Sequence, residues 1–252
     1  MFASSFRPGD SHFETRHRLL SVHLGNEREI WLIAPREPSH LDRLTVFLDA
    51  ERYRDPARMN VRALIEELFA RGEHADTLFV FVSEHSAEAR WRECPCYPAF
   101  ASFINEELLH RVAAVRPEVH QASARILVGL SYTGLAAAYV ALQAAGVWTH
   151  VISQSGSHWW NDEWLTRRYR ELPVALATRF YLEVGSAETA INVIHREDVL
   201  QLASQVDAVR RFSEALRTTG HQVEYVEFDG GHDYAAWRKT LPNALRWALH
   251  GP

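Results

Sequence analysis

The sequence predicts an α/β fold in which helices cover both faces of a mostly parallel central sheet. Apolar runs of strand length alternate with longer amphipathic stretches along most of the 252 residues, a pattern typical of parallel strands joined by helical crossovers. One run, Thr77–Val82, is almost wholly apolar, as expected of a strand buried on both faces. No linker, repeat or low-complexity segment divides the chain, so we expect a single domain over residues 1–252.

The first half of the chain opens with a predicted hairpin. Its strands are Arg18–Leu24 and Glu29–Ala34, and Gly25-Asn26 supplies the turn. The elements that follow are identified by apolar runs and by helical spacing of apolar residues. In chain order they are the strand Leu44–Leu48, the helix Val61–Ala70, the strand Thr77–Val82, the helix Phe100–Val115 and the strand Arg125–Val128.

The second half continues the alternation of strands and helices. In chain order it contains the helix Leu135–Ala145, the strands His150–Ser153 and Arg179–Val184, the helix Asp198–Thr218, the strand Gln222–Phe228 and the helix Tyr234–Leu249. The segment between the His150 and Arg179 strands is short. We therefore expect a small cap region over residues 154–178 and an open site.

The composition disfavours several classes of protein. A net charge of −5 disfavours nucleic-acid binding, which usually needs a basic face. No stretch approaches the roughly 18 apolar residues that span a bilayer, and residues 1–12 lack the apolar core of a secretory signal. We therefore expect a cytoplasmic protein with no membrane partner. Cys94 and Cys96 flank one proline, so two reduced thiols on a loop are expected rather than a strained disulfide.

We expect no metal ion and no cofactor. The sequence has no helical His-x-x-x-His pair, no cysteine cluster and no glycine-rich phosphate loop. His12 and His17 are the closest pair of histidines in the N-terminal segment. They lie in polar sequence without metal-ligand spacing, so both are predicted to be solvated.

A nucleophile elbow is predicted around Ser131. An apolar strand runs into Gly129, the serine follows two residues later, and an alanine-rich helix comes next. Such a turn lifts the serine hydroxyl to the carboxyl edge of the sheet and needs small residues two before and two after it. Gly129 meets the first need, whereas Thr133 departs from the second and is followed by Gly134. An ordinary strand-to-helix connection with an incidental serine is the alternative.

A candidate base and a candidate acid follow two later strands. His232 comes after two glycines at a strand end, where its imidazole could activate a serine. Glu188 follows the preceding strand and could accept the second ring N–H, while Glu183 and Asp198 are weaker candidates. Taken singly, the histidine could be a capping residue and Glu188 a solvated one. Taken together, Ser131, Glu188 and His232 have the chain order of an α/β-hydrolase triad, at the strand ends where parallel sheets place their sites.

Five motifs from about residue 44 onward resemble those of a known family. They are VFLD at 46–49, PAFASFINEELL at 98–109, the elbow at 129–134, SQSGSHWW at 153–160, and GGHD at 230–233 followed by Trp237-Arg238. With them the sequence resembles the enterochelin (siderophore) esterases, within the Putative esterase family of α/β-hydrolases. The resemblance implies an α/β-hydrolase fold, a nucleophile at Ser131, a base at His232 and an acid in the Glu188 loop. It supports the first two residues more than the acid, so a Ser–His dyad stays open.

Two backbone N–H groups are predicted to form an oxyanion hole. One belongs to Tyr132, directly after the nucleophile. The other comes from the loop after the Leu44–Leu48 strand, at Ala50 or Glu51. Such donors stabilise the tetrahedral intermediate of acyl transfer. A plain strand-to-loop turn is the alternative for this second segment.

Aromatic residues after the His150 strand predict a wall over the site. They are Trp159, Trp160 and Trp164, with His158 beside them, and their faces suit a planar acyl or aryl group. Arg92 on the opposite rim could bind an anionic or catecholate substrate. Ordinary packing of a cap helix against the sheet is the alternative.

These residues together predict a serine esterase that acts through an acyl-enzyme. The expected substrate is a soluble small-molecule ester, either siderophore-like or an aryl ester. Transfer of the acyl group to another alcohol is one alternative. A catalytically inactive hydrolase fold that binds a partner is the other, and Thr133 is the feature that favours it.

Overall fold

A nine-stranded sheet runs through the molecule, in a computed structural model that describes residues 3–5, 12–35 and 40–249. The strands are β1 (Ala3–Ser5), β2 (His12–Ser21), β3 (Asn26–Pro35), β4 (Arg43–Leu48), β5 (Thr77–Val82), β6 (Ala124–Leu130), β7 (His150–Gln154), β8 (Arg179–Gly185), β9 (Val193–Arg196), β10 (Val199–Gln201) and β11 (Val223–Phe228). The sheet order is β1-β2-β3-β5-β4-β6-β7-β8-β11, and β9 and β10 form a separate hairpin.

The helices lie between and after these strands. They are α1 (Ala50–Tyr53), α2 (Val61–Ala70), α3 (Ala87–Glu93), α4 (Pro98–Ser102), a π segment (Phe103–Leu108), α5 (Leu109–Val115), a 3₁₀ turn (Pro117–Gln121), α6 (Tyr132–Gln143), α7 (Trp160–Arg170), α8 (Gln205–Thr218) and α9 (Tyr234–Leu249). Within the described residues, none of these helices is long and apolar enough to cross a bilayer.

Most of the sheet is parallel. The strands β5, β4, β6, β7, β8 and β11 pair in parallel with one another, whereas β1, β2 and β3 form an antiparallel edge that joins β5. The carboxyl ends of the parallel strands therefore meet at one edge of the sheet, where ligand sites of such sheets lie.

Successive residues of the central strands face opposite cores, because strand side chains alternate. Val46 packs in the core beneath α6 and α8, and its neighbour Phe47 packs in the core beneath α2 and α9. Leu127 and Val128 of β6 divide in the same way. Both faces of the sheet are thus covered, and the fold class predicted from the sequence is confirmed.

The largest departure from the predicted elements lies before α8. The helix predicted from Asp198 begins only at Gln205, where the Ser204 side chain accepts the Asp207 N–H and caps it. The residues before this cap form the β9–β10 hairpin instead. The prediction of a helix start at Asp198 was wrong because a true capping residue, followed three positions later by an acid, stands at Ser204.

Two smaller expectations also change. His12 and His17 are buried rather than solvated, with His12 beside the Phe69 ring and His17 bonded to Thr15. The two histidines are an odd number of positions apart on β2, so their side chains face opposite sides of the sheet. Both sides are covered there, with Phe69 of α2 beside His12 and Arg111 of α5 near His17. Cys94 and Cys96 are free thiols, as predicted, but both are buried.

Candidate active site

Ser131 stands at a sharp turn between β6 and α6. Its backbone has φ 53° and ψ −123°, a conformation that costs an L-residue energy and needs surrounding structure to hold it. The Ser131 N–H donates to the Gln154 carbonyl at 2.9 Å, and its carbonyl accepts the Ser157 N–H at 3.0 Å. The residue is thus held in a strained turn by bonds to β7 and the segment after it.

The elbow needs small residues at Gly129 and Gly134. A Cβ on Gly129 would lie 2.0 Å from the Thr133 carbonyl oxygen, and one on Gly134 would lie 2.9 Å from Gly156 Cα. Both distances fall well inside van der Waals contact. The small residue on the helix side of the serine is therefore Gly134, one position later than the sequence pattern requires.

Thr133 braces the elbow through its hydroxyl group. The hydroxyl accepts the Leu130 N–H at 3.0 Å and donates to the Leu130 carbonyl at 2.8 Å, with Asp49 Oδ2 at 3.3 Å. All three residues are buried. The departure from glycine at this position therefore adds hydrogen bonds and leaves the turn intact.

Replacing this hydroxyl with a methyl group tests the brace. We expect Thr133→Val to lower the free energy of unfolding by about 1–3 kcal/mol, because the buried Leu130 N–H loses its acceptor. Urea unfolding measures the difference between this variant and Thr45→Val, which alters another buried threonine whose hydroxyl has no partner among the described residues. Equal losses in the two variants would contradict the bracing role.

Three groups predicted from separate strand ends lie in one hydrogen-bonded line. The Ser131 hydroxyl lies 3.1 Å from His232 Nε2, and His232 Nδ1 lies 2.6 Å from Glu188 Oε2. The glutamate is buried and the imidazole is partly exposed, with 2% and 43% side-chain exposure. With Nδ1–H donating to the carboxylate, Nε2 is left to accept the serine proton. This is the bonding order of a nucleophile, base and orienting acid.

The neighbouring carboxylate, Glu183, has different partners. It lies on β8 and accepts hydrogen bonds from Gln154 Nε2 at 2.7 Å and Thr240 Oγ1 at 2.6 Å. Burial, with a smaller contribution from the Glu188 charge, raises the pKa of Glu183 to about 7 against the lowering effect of those hydrogen bonds. Of the two glutamates, only Glu188 is bonded to His232.

The raised pKa of Glu183 predicts how stability changes with pH. The unfolded carboxyl ionises near pH 4.5 and the folded one near 7, so the stability it contributes is full below pH 4.5 and is lost as pH rises through 7. Glu183→Gln does not ionise. Between pH 4.5 and 8, wild type should therefore lose roughly 1–3 kcal/mol of unfolding free energy that the variant keeps. Urea titrations at both pH values test this, and a difference that stays constant would contradict it.

The predicted oxyanion residues occupy the starts of two helices. Tyr132 is the first residue of α6 and Ala50 the first residue of α1, and N–H groups in a first helical turn have no acceptor within the helix. Asp49, just before α1, reaches Thr133 in the elbow. The Glu51 carboxylate accepts the Glu84 N–H at 2.9 Å. Tyr132 lines the cavity beside Ser131, whereas Ala50 and Glu51 are not in its lining.

A cavity of about 450 Å³ opens beside Ser131, Glu188 and His232. Much of its wall is aromatic. Trp91 meets Tyr132 edge-on at 4.7 Å, and Trp159 stacks on His195 at 4.9 Å with the two planes 5° apart. Such walls favour flat, apolar ligand groups.

The residues predicted for the wall are only partly brought together. Trp159 lines the cavity, but Trp160, Trp164, His158 and Arg92 are not among its lining residues. His158 is fully buried and stacks on Phe212 at 3.9 Å, and burial lowers its pKa to about 3. The predicted cap over residues 154–178 supplies only Ser157 and Trp159. The rest of the rim comes from α3, the loop after β8, the β9–β10 hairpin and the start of α8.

Sequence reasoning missed a cationic group in the cavity wall, Arg90. It lines the cavity, is 8% exposed, and binds Asp49 through Nε and Nη2 at 2.8 Å. Burial disfavours its charge, but the Asp49 carboxylate outweighs this and raises its pKa. Arg90 lies two residues before Arg92 on α3, and the apolar residues flanking α3 were too few to show which arginine faces inward.

Three carboxylates near the elbow form the closest approach to a metal site within the described ranges. Ligand atoms of Asp49, Glu51 and Glu84 lie within 4.8 Å of one another. Arg52 and Arg90 pair with two of the three carboxylates. The group is therefore a charge network in which arginines pair with Asp49 and Glu84, while Glu51 accepts a backbone N–H.

Sequence comparisons relate this chain to esterases. A profile of the family described as Putative esterase matches residues 26–248. An iron(III) enterobactin esterase from Dickeya dadantii (strain 3937) is 32% identical over 238 residues, which cover 92% of this chain and 54% of that protein. The enzyme of that name from Escherichia coli (strain K12) is 27% identical over 230 residues, covering 89% and 54%. This chain thus spans about half the length of these relatives.

Comparison with solved structures also finds esterases. The enterochelin esterase of Shigella flexneri superposes with a TM-score of 0.81 at 25% identity, covering 97% of this chain and 59% of that one. A ferulic acid esterase superposes with a TM-score of 0.70 at 16% identity, over 98% of both chains. The second likeness concerns the fold alone, and both support the α/β-hydrolase architecture.

Proposed function

The chain belongs to the Putative esterase family, as its motifs predict, and we propose that it hydrolyses carboxylic esters through a serine nucleophile. The observation that supports this most directly is the continuous hydrogen-bonded line from Ser131 through His232 to Glu188 at the elbow. A turn that only connected a strand to a helix would not need a base within hydrogen-bond distance of its serine and a buried acid bonded to that base.

In each of the two proposed steps, His232 first accepts a proton and then returns it. The Ser131 oxygen attacks the ester carbonyl while His232 Nε2 takes the hydroxyl proton. The imidazolium, stabilised by Glu188, returns that proton to the leaving alcohol as the acyl-enzyme forms. Water then attacks the acyl-enzyme while His232 takes its proton, and the imidazolium returns that proton to the Ser131 oxygen as the acid is released. We propose the Tyr132 N–H as one donor to the oxyanion in both steps, and the N–H of Ala50 or Glu51 at the start of α1 as the other.

We propose that the substrate carries an aryl group, as in a siderophore-like or aryl ester. The named relatives are enterobactin and ferulic acid esterases, and the cavity here offers Trp91, Trp159 and Tyr132 to a flat ring. The guanidinium of Arg90 stands in the same wall, where it suits oxygen-rich or anionic substituents.

An active-site-directed probe tests the activity whichever ester the protein hydrolyses. We expect a fluorophosphonate to form one adduct, located at Ser131 by peptide mass spectrometry, and His232→Ala to abolish it. A panel of acetyl, aryl and catecholate esters should then be hydrolysed to acid and alcohol. Added acceptor alcohols should not divert the acyl group, and ester products with those alcohols would indicate an acyltransferase. Folded protein that neither labels nor hydrolyses would contradict the proposed function.

The aromatic wall predicts selectivity between acyl groups. We expect Trp91→Ala to lower kcat/KM for aryl esters about 5- to 10-fold more than for acetyl esters, because one aromatic contact is worth about 0.5–1.5 kcal/mol. Trp160→Ala is the matched control, since this tryptophan is not part of the cavity lining. An equal loss with both substrates in Trp91→Ala would contradict aryl recognition at this wall.

A further inference from the structure

Two buried side chains behind the acid have no part in the reaction steps above. The Ser155 hydroxyl donates to Glu188 Oε1 at 2.5 Å, and Trp237 Nε1–H donates to Ser155 Oγ at 2.9 Å. Ser155 is fully buried and Trp237 is 2% exposed. Both come from motifs singled out in the sequence, at 153–160 and after 230–233. The two motifs therefore meet behind the carboxylate.

The chemistry of these groups fixes the direction of each hydrogen bond. An indole N–H only donates, so the Ser155 oxygen must accept from Trp237. A serine hydroxyl has a single proton, which is then free to go to Glu188 Oε1. That oxygen also accepts the Gly185 N–H at 2.7 Å. With Oε1 held by two donors, Oε2 is directed to His232 Nδ1.

The backbone of Ser155 is itself held in a costly conformation. Its φ is 43°, in the left-handed region that L-residues avoid. The Ser155 N–H donates to the Glu183 carbonyl at 2.7 Å, and its own carbonyl accepts Gln205 Nε2 at 2.6 Å. Bonds on both sides thus keep the hydroxyl directed at Glu188.

Trp237 contacts the base as well as the serine. Its ring meets the His232 ring edge-on, with centroids 4.7 Å apart and planes at 82°. One side chain of α9 therefore packs against the imidazole and, through Ser155, orients the carboxylate that bonds to it. Neither Ser155 nor Trp237 lines the cavity.

We propose that Ser155 and Trp237 are positioning residues that orient the Glu188 carboxylate so that its Oε2 accepts the hydrogen bond from His232 Nδ1. The proposal rests on the proposed esterase activity. It predicts that their loss slows the chemical step and leaves substrate binding unchanged, because they act through the acid and do not touch the substrate. A small displacement of a catalytic group is enough to cost about 10²-fold in rate.

Three variants separate the hydroxyl, the backbone and the indole. Ser155→Ala removes the hydroxyl and keeps the strained backbone, whereas Ser155→Gly removes the hydroxyl and relieves the strain. We expect both to lower kcat about 10- to 100-fold with KM changed less than about 2-fold. Trp237→Phe keeps a ring beside His232 but loses the donor, and should lower kcat about 3- to 10-fold. The rate of fluorophosphonate labelling of Ser131 should fall in parallel.

Two matched controls use the same substitutions elsewhere. Ser213→Ala removes a buried hydroxyl that has no hydrogen-bond partner in the part of the chain that the structure describes. Trp247→Phe alters another tryptophan of α9, which packs on His150 and Tyr181. Both should keep wild-type kcat, and thermal unfolding of every variant checks that the fold is retained.

A double-mutant cycle with Glu188→Gln decides whether the effect passes through the acid. We expect Ser155→Ala to cost less than about 2-fold in that background, since coupled groups are not additive. If Ser155→Ala lowers kcat as much in the Glu188→Gln background as in wild type, the proposal is overturned in favour of a general structural role. If Ser155→Gly recovers activity, it is overturned in favour of a backbone role. Active wild type with unaffected Ser155 variants would overturn the inference alone. Inactive, unlabelled wild type would overturn the proposed function and the inference with it.

Discussion

Ser131→Ala is expected to lower kcat/KM for carboxylic esters by at least about 10⁴-fold, to the level left by binding and the oxyanion donors alone. The hydroxyl is the atom bonded to His232 Nε2, and alanine offers nothing in its place. Alanine also tolerates the φ of 53° no worse than serine does, because both carry a Cβ. The fold should therefore survive the substitution.

Three measurements together make this expectation decisive. Steady-state kinetics on an aryl ester gives the rate loss, fluorophosphonate labelling should disappear, and thermal unfolding should stay within a few degrees of wild type. The remote Ser213→Ala variant should keep full activity. Activity near that of wild type in folded Ser131→Ala would exclude this serine as the nucleophile.

The part of the candidate site that could be predicted from the sequence is the part that lies at the ends of strands. Buried parallel strands give apolar runs whose ends are visible, so Ser131 and His232 could each be assigned to the edge of the sheet from the sequence alone. Their bonding distances could not be derived in this way. They depend on the sheet order, which places β6, β8 and β11 on the same half of the sheet.

The cavity rim was hidden for a different reason. The strands β9 and β10 are only 4 and 3 residues long. Partly exposed strands this short do not show enough alternation of apolar and polar residues to be recognised in a sequence. His195 on β9 stacks on Trp159, a contact between segments 36 positions apart in the numbering. No local feature of either segment predicts that pairing.

Thr133 shows how a local sequence rule can misplace the close contact in a turn. The pattern of small residues around a nucleophile made this threonine the main support for an inactive binding protein. The close approach in fact occurs at Gly134, and the threonine hydroxyl satisfies a buried backbone N–H of the turn. The structure therefore removes the observation on which that alternative depended.

Glu188→Ala is expected to lower kcat about 10²- to 10⁴-fold, as loss of a triad acid does elsewhere. Without the carboxylate, His232 loses the acceptor that fixes its Nδ1–H tautomer and stabilises its imidazolium. Ser155 and the Gly185 N–H also lose their acceptor. Glu188→Gln separates these effects, because its amide oxygen can still accept from both donors while the negative charge is gone.

Glu183→Gln is the control that tests this assignment most sharply. It alters a second buried glutamate, on the same strand-and-loop segment, whose partners are Gln154 and Thr240 rather than His232. If the charge beside the imidazole drives the reaction, Glu188→Gln should lose most of its kcat and Glu183→Gln should keep it. The reverse result would move the acid to Glu183, and near-neutral effects of both variants would establish a Ser–His dyad. The three outcomes assign the acid to Glu188, to Glu183 or to neither residue. Measuring kcat for the two glutamine variants therefore decides the composition of the catalytic site.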